Sequence, residues 1–353
     1  MDVRIDPFVP KTATREEWDR HHAFRRVRHE EEAPGDQLDS DELEEALLKR
    51  DNPEWFNVIH AAIDPATGGQ VGIPWLDVMK ETSPSYAENG HIGWLHVGVV
   101  RSHRRGGIGT RLLRIVREPA KEHKLTRILG GAFEADGKAF LRAIGADVGD
   151  IRRESRLDLT RMDWTMVESW ARDGAERNPG TTLRWMRDGI DEDVIEAYAK
   201  VYTEIGNQDP RNRLEVGDLL VTPENLRDRA DRRRHIGATW LTVMSVERDR
   251  SISGLTETVY HPDDEHIIGQ ALTGVREPWR GRKIGKWLKA AMLLRVREEF
   301  PHVRVVSTWN STTNAAMLAI NNALGFRENR VADMSQMTVQ LLEAYLARKK
   351  APA

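Results

Sequence analysis

Apolar positions along this chain follow two rhythms, one of period two and one of period 3.6, and their order predicts an α/β protein. Residues 12–50 carry helical spacing. Thr14 caps a first helix with Glu16 and Glu17 in its first turn, and Asp39-Ser40 precedes a second run, Leu43, Ala46, Leu47 and Leu48. Between them His29 to Asp36 reads as a solvated acidic loop. Alternation over 55–64 and 72–79 about Pro65-Ala-Thr-Gly-Gly69 predicts a hairpin. The β-branched run from Trp94 to Val100 predicts a buried strand, and Ile108, Leu112, Leu113 and Val116 a helix after it. Residues 125–132 then read as a strand, 136–143 as a short helix, and 151–159 as the strand closing a first sheet.

Residues 160–190 form a join, with Trp164, Val167 and Trp170 on one helical face and Asn178-Pro179-Gly180 breaking it. The plan then repeats. Helices are expected over 191–205 and from Thr222-Pro223-Glu224, strands over 239–247, 252–260 and 266–275, and a loop and long helix over 279–298. A strand at 303–309, a helix at 314–324 ended by Gly325, a closing strand over 329–341 and an amphipathic helix over 342–350 complete the chain. An offset of 176 superimposes Ile92, Gly93, Gly98, Val99, Arg104, Ile108, Gly109 and Leu112 on Ile268, Gly269, Gly274, Val275, Arg280, Ile284, Gly285 and Leu288. Half the chain is also about 176 residues, so the pattern is a tandem duplication.

In each copy a basic, glycine-rich turn joins the central strand to the long helix. Such a turn bares backbone N–H groups at the positive end of a helix dipole, which is a cradle for phosphate. The dinucleotide fingerprint fails because Leu112 stands at the third glycine, and the ATP/GTP phosphate loop fails because no Lys-Ser/Thr pair follows. What fits is R-x-x-G-x-G, at Arg104, Gly107 and Gly109.

This motif, between its strand and helix, resembles the acetyl-CoA signature of the GCN5-related N-acetyltransferases. WNSTTNAAMLAINNALGF at 309–326 is similar to that family's second motif, N-x-x-A…L-G-F. The resemblance covers about residues 40–160 and 185–341, closest to the tandem two-domain members, of which mycothiol synthase is one. It implies two acetyltransferase domains, each a mixed twisted sheet flanked by helices, at 1–160 and 185–353, with a linker helix at 161–184. It implies acyl-CoA, most simply acetyl-CoA, as co-substrate, and direct transfer to the amine of a small molecule, with no metal. In the first copy the CoA contacts fall on Val97, Val99, Arg104, Arg105, Gly106, Gly107, Ile108, Gly109 and Thr110. In the second they fall on Thr273, Val275, Arg280, Gly281, Arg282, Lys283, Gly285 and Lys286, with Asn314 steering the pantetheine.

The copies depart from the family in different places. Arg282 and Lys283 replace Gly106 and Gly107; Lys283 costs little where φ is negative and its charge then adds a phosphate contact, or else its side chain blocks the backbone approach and leaves that copy without CoA. Asp136, Ala139 and Gly145-Ala146 stand in for the second motif in the first copy. The family's acid, a tyrosine four residues before the motif's glycine, is Leu141 in one copy and Asn321 in the other. A general base on the strands beside the thioester is Glu257 first and His266 second, which assigns the chemistry to the second copy. His96 reads as a satisfied core histidine.

Composition narrows these readings further. The 353 residues are 39% hydrophobic and 31% charged, with net charge −3, so no global field draws the chain to nucleic acid or anionic lipid. The absence of cysteine excludes a covalent cysteinyl intermediate, so transfer proceeds through a ternary complex. No run approaches the ~20 apolar residues of a membrane span and the N-terminus lacks a signal-peptide core, which makes a cytoplasmic protein the expectation, as a monomer with pseudo-two-fold domains or a homodimer. HEEE at residue 29 lacks the second histidine of a zinc motif. Two alternatives stand: an aminoacyl-tRNA or carrier-bound donor, touched by Arg25-Arg26 and Arg232-Arg233-Arg234-His235, and a non-catalytic CoA-binding protein.

Overall fold

The structure is a computed structural model, and it describes residues 2–349. Two compact units emerge. Among the described residues one comprises 2–151, 211–218 and 332–349, the other 152–210 and 219–331.

In the first unit the chain runs β1 (Arg4–Pro7), α1 (Arg15–Glu32), α2 (Asp41–Lys49), β2 (Trp55–Ile63), β3 (Gln70–Met79), α3 (Tyr86–Asn89), β4 (Ile92–Val99), α4 (Ile108–Glu122), β5 (Arg127–Ala132) and α5 (Ala135–Ile144). Strand β6 (Asp147–Asp158) leads into the second unit, which continues α6 (Trp164–Arg177), β7 (Thr182–Arg187), α7 (Ile195–Gly206), α8 (Pro223–His235), β8 (Thr239–Val246), β9 (Ile252–Tyr260), β10 (Ile267–Val275), α9 (Ile284–Glu299), β11 (Val305–Ser311) and α10 (Ala315–Leu324). Strand β12 (Arg327–Thr338) and α11 (Val339–Arg348) bring the chain back to the first unit. The first sheet has the order β1-β2-β3-β4-β5-β12, the second β6-β11-β10-β9-β8-β7. In each, one pair is parallel, β4 with β5 and β10 with β11, because a helix crosses over between them.

The closing strands are exchanged. Residues 152–158, expected to finish the first sheet, pair with β11 from Ser311–Arg152 to Val305–Asp158. The strand expected to finish the second sheet pairs instead with β5, from Asp333–Ala132 to Thr338–Arg127. Alternation identifies a strand but not the edge it joins. Glu154, 2% exposed, anchors β6 in its adopted sheet: its carboxylate accepts from Ser307 (2.7 Å), Arg156 (3.0 Å), Asn329 (3.0 Å) and Arg330 (2.5 Å). Burial alone would raise this carboxyl; the hydrogen bonds from Ser307, Asn329 and Arg156 and the Arg330 charge hold it below the ordinary range.

The join is part of the second unit's body. Helix α6 packs on α9 where Gly174 leaves no room for a side chain, an added Cβ falling 2.4 Å from Trp287 Cβ, and β7 pairs with β8. Helix α1 runs through HEEE to Glu32, because Arg28 pairs with Glu31 at 2.6 Å one turn away, so the expected acidic loop is shorter. The last helix starts at Val339, capped by Thr338, rather than after a strand reaching Leu341; Lys350 lies outside the described residues. Strand β1, too short to show a pattern, had no signal in the sequence.

Candidate active site

The first unit's central strand forks from its neighbour. Strand β4 pairs with β3 without interruption from Gly93–Val78 to Val99–Gly72, but with β5 only from Ile92–Arg127 to Trp94–Leu129. Val100 N–H donates to Val71 O, so the antiparallel alternation spends the backbone groups of His96 and Gly98 on β3 and turns those of Leu95 and Val97 toward β5. Pro74, opposite Val97, turns its nitrogen away from β4 toward β2, where the pairing is interrupted between Ile59–Trp75 and Ala62–Gly72. Beyond Trp94, therefore, Val97 presents its N–H and C=O to an opening. Gly130 sits at the fork, where a Cβ would come 2.7 Å from Leu95 O.

Behind the fork, under α4 and α5, lies an apolar slot lined by Leu95, Val97, Leu113, Ile128, Phe140, Leu141 and Met337, with Ser335 among them. The glycine turn stands between the end of β4 and the first turn of α4. Arg105 (φ +64°) and Gly107 (φ +84°) are both left-handed, and Gly107 caps α4 without a side-chain bond, so the first N–H groups of the helix point outward. Gly109 allows the close approach of α5, a Cβ there falling 3.2 Å from the Phe140 ring. Arg104, expected on phosphate, braces the loop instead: it donates to Val99 O (3.0 Å), Glu134 (2.7 Å) and Asp136 (3.1 Å). Val99 O is thereby occupied, Thr110 Oγ1 bonds the Tyr345 hydroxyl at 3.0 Å, and Ile108 is buried, so the latter two offer the loop their backbones.

On the opposite face of β4 stands His96, 66% of its side-chain surface exposed, which corrects its expected place in the core. Its Nε2 lies 3.9 Å from Asp77 Oδ2. Asp77 is itself held by Trp75 Nε1 (2.5 Å) and Asn57 Nδ2, so a fixed carboxylate stands beside an accessible imidazole two residues past the last β4–β5 pair. Helix α1 covers the neighbouring Gly98 with Phe24 and Arg28.

The second unit repeats the fork but fills its slot. Strands β10 and β11 pair from Ile267–Val305 to Gln270–Thr308 and no further, and the β9–β10 register slips by one between Gln270 and Thr273, a bulge β4 lacks. Lys289, equivalent to Leu113, is 1% exposed and donates at 2.7 Å to both Gln270 Oε1 and Asn321 Oδ1. Asn321, equivalent to Leu141, donates in turn to Asn310 (2.8 Å), and Gln270 to Thr256 (3.2 Å), whose hydroxyl bonds Thr273 at 2.6 Å. Burial brings Lys289 down to about 7. Hydrogen-bonded side chains thus occupy the volume that stays apolar and open in the first unit.

The second loop keeps the backbone of the first with the glycines interchanged: Gly281 (φ +80°) matches Arg105, and Lys283 (φ +62°) matches Gly107. The negative φ expected at Lys283 is not found, and the left-handed conformation costs a non-glycine residue about 1–2 kcal/mol. Arg282 binds Asn178 (2.9 Å), Thr181 (3.1 Å) and Glu247 (3.2 Å), and Arg280 binds Gln208 (2.7 Å). The Lys286 ammonium lies 4.4 Å over the Trp170 ring. Val275 O takes a long bond from Arg280, and Gly285 gives α10 room beside Ile320. Asn314 caps α10 through Met317 N–H (3.2 Å) rather than facing the fork with a free amide.

Neither expected base is suitably placed. Glu257 is 1% exposed and points beneath α7 and α8, accepting from the Tyr198 hydroxyl at 2.6 Å. Burial raises its carboxyl above the usual range, against the Tyr198 bond and the Arg233 and Arg229 charges. The sequence placed it on the correct strand; only packing decides which face of that strand is sealed. His266 precedes β10 at the end remote from the loop, beside Glu265. The basic clusters are locally paired as well: Arg26 with Asp41, Arg232 with Asp228 (2.7 Å), Arg234 with Asp231 (2.6 Å), and Arg233 stacked on Trp240.

This geometry can be set against known proteins. No protein-family model matches the chain, and no curated protein is similar to it in sequence. Solved structures do match. A tandem GNAT protein from the clavulanic acid biosynthesis pathway is 19% identical, with a TM-score of 0.74 over 96% of this chain and 99% of that one. A GCN5-related N-acetyltransferase from Sphaerobacter thermophilus is 14% identical, with a TM-score of 0.63 over 96% of each. A glucosamine N-acetyltransferase region of a fungal multi-domain β-N-acetylglucosaminidase matches 95% of this chain and 38% of its own, with a TM-score of 0.66 and 14% identity. The fold is therefore the tandem GCN5-related N-acetyltransferase fold. Among the described residues no helix is long and apolar enough to cross a membrane.

Proposed function

We propose that the chain is an acyl-CoA-dependent N-acyltransferase whose donor site and chemistry lie in the first unit, with acetyl-CoA the simplest donor and a small-molecule amine the acceptor. One observation carries this reading: the forked strand, the apolar slot and the phosphate-type loop coincide in the first unit, whereas the second unit's slot is filled by Lys289 and its partners.

The residues present fit an acyl-CoA. The first N–H groups of α4 and the turn at Gly107 suit a pyrophosphate, and the outward-facing N–H and C=O of Val97 suit a pantetheine amide. The slot excludes water from the arm, and a backbone donor at the fork polarises the thioester carbonyl. On the other face His96, steadied by Asp77, accepts the proton that the attacking amine must lose before the amide is stable. The thiolate leaves without a dedicated side-chain acid at residue 141, since a thiol titrates near ~8.5.

The test is calorimetric titration with CoA and acetyl-CoA, together with CoA release over a panel of primary amines. One CoA is expected per chain. Gly107→Asp abolishes binding, because it places a carboxylate beside the pyrophosphate at a position with φ +84°, while Lys283→Glu leaves binding intact. Binding that survives Gly107→Asp and disappears in Lys283→Glu reverses the assignment of units.

A further inference from the structure

We infer that Ser335, supplied by the last strand of the chain, is a donor-binding residue of the first unit's slot and gives its hydroxyl proton to a carbonyl of the acyl-pantetheine arm. This rests on the reading above that the slot takes that arm. Ser335 stands on β12 directly opposite Gly130, at the level of the fork. It is 2% exposed, it lines the slot, and its Oγ has no hydrogen-bond partner. Buried hydroxyls in folded proteins are nearly always bonded, so an orphan in a cavity wall points to a partner that arrives from outside.

The surroundings make the hydroxyl available to a ligand. Its neighbours on the same face of β12 are committed elsewhere: Asp333 pairs with Lys138 at 2.9 Å, and Met337 is packed in the core. Gln336, the other polar residue of the lining, has both ends of its amide spent, accepting from Glu215 N–H and donating to Arg213 O, each at 2.8 Å. The rest of the wall is aliphatic, aromatic or glycine. An arm entering it brings two amide carbonyls and a thioester carbonyl, and Ser335 offers the wall's uncommitted side-chain donor.

The second unit supplies a comparison. There the matching strand ends, Val339 N–H to Thr126 O in one unit and Leu159 N–H to Arg304 O in the other, put Ser155, opposite Thr308, in the place of Ser335. Ser155 is likewise buried without a hydrogen-bond partner, but Lys289 and its partners lie in its unit's slot, whereas Ser335 lines the open one. The strand exchange therefore carries a functional consequence: the first half's donor site is completed by a residue more than 200 positions away.

The experiment uses the full chain, with Ser335→Ala followed by thermal unfolding without ligand and by calorimetric titration with CoA and with acetyl-CoA. The expected result is a ligand-free melting temperature equal to or above that of the parent, because an unpaired buried hydroxyl has been removed, together with about 5- to 10-fold weaker binding, as for loss of one neutral hydrogen bond. Weakening for both ligands assigns the bond to an amide of the arm, and weakening for acetyl-CoA alone assigns it to the thioester carbonyl; either supports the inference. A lowered ligand-free melting temperature means that the hydroxyl already has a partner within the fold and overturns it. So does unchanged affinity in Ser335→Ala when Gly107→Asp has abolished binding. Should Gly107→Asp bind normally, it is the assignment of the donor site that fails.

Discussion

Replacing Lys289 with methionine gives the most direct test of how the second unit's slot is filled. The ammonium is 1% exposed, bonds two neutral amides at 2.7 Å and lies 5.2 Å from the Phe326 ring centroid. Burial lowers it from 10.5 to about 7. Between these values the unfolded chain holds a proton that the folded chain lacks, so stability rises with pH across the window; below about 7 both states are protonated, and above 10.5 both are neutral. One proton is worth about 1.4 kcal/mol per pH unit, so going from pH 7 to pH 9 adds on the order of 2–3 kcal/mol. For a body of this size that is roughly 5–10 °C in melting temperature. Lys289→Met keeps most of the volume but leaves Gln270 and Asn321 each without a donor, at about 1–3 kcal/mol apiece. Absolute stability is therefore the wrong readout, and the slope is the right one. Melting curves of parent and variant are recorded from pH 6 to 9.5, and the gap between them is expected to change by that 5–10 °C in favour of the parent as pH rises. Two parallel curves would refute a neutral, buried Lys289 and with it the explanation of why this slot is closed.

Three further outcomes follow from the same geometry. His96→Asn should slow amine-dependent CoA release about 10²–10⁴-fold, the usual worth of general-base help, with CoA affinity unchanged by calorimetry; a parental rate would remove His96 from the chemistry. Glu257→Gln should leave the turnover rate and its acidic limb within about twofold of the parent, since Tyr198 still has an oxygen to bond, and a large loss of rate would return Glu257 to the role its strand position suggested. Glu154→Ala should cost about 1–3 kcal/mol in denaturant unfolding by removing the acceptor that Ser307, Arg156, Asn329 and Arg330 share, and an unchanged stability would show that the exchanged strand is held by pairing alone.

Much of this molecule is local and therefore legible in the chain. The period-two and period-3.6 runs placed the hairpin, the central strands and the long helices, because side-chain burial on one face imposes the spacing whatever the element packs against. The duplication was visible in eight paired positions, and the phosphate-type turn in its glycines, because left-handed backbone and close helix approach leave a residue-type signature: Gly107 for the first, Gly109 for the second.

Tertiary structure decided what depends on partners distant in sequence. Nothing in residues 152–158 or 332–338 states which of two similar open edges each will join, yet that choice brings Ser335 to the first unit's slot. Glu257, expected to face the thioester, is sealed by helices, and His96, expected in the core, is exposed, because alternation along a strand does not say which face other elements will cover. Leu113 and Lys289, at the same turn of equivalent helices, decide which slot is open. A lysine there reads as a surface residue until the burial around it is known, because helical spacing records a face and not the depth at which that face lies.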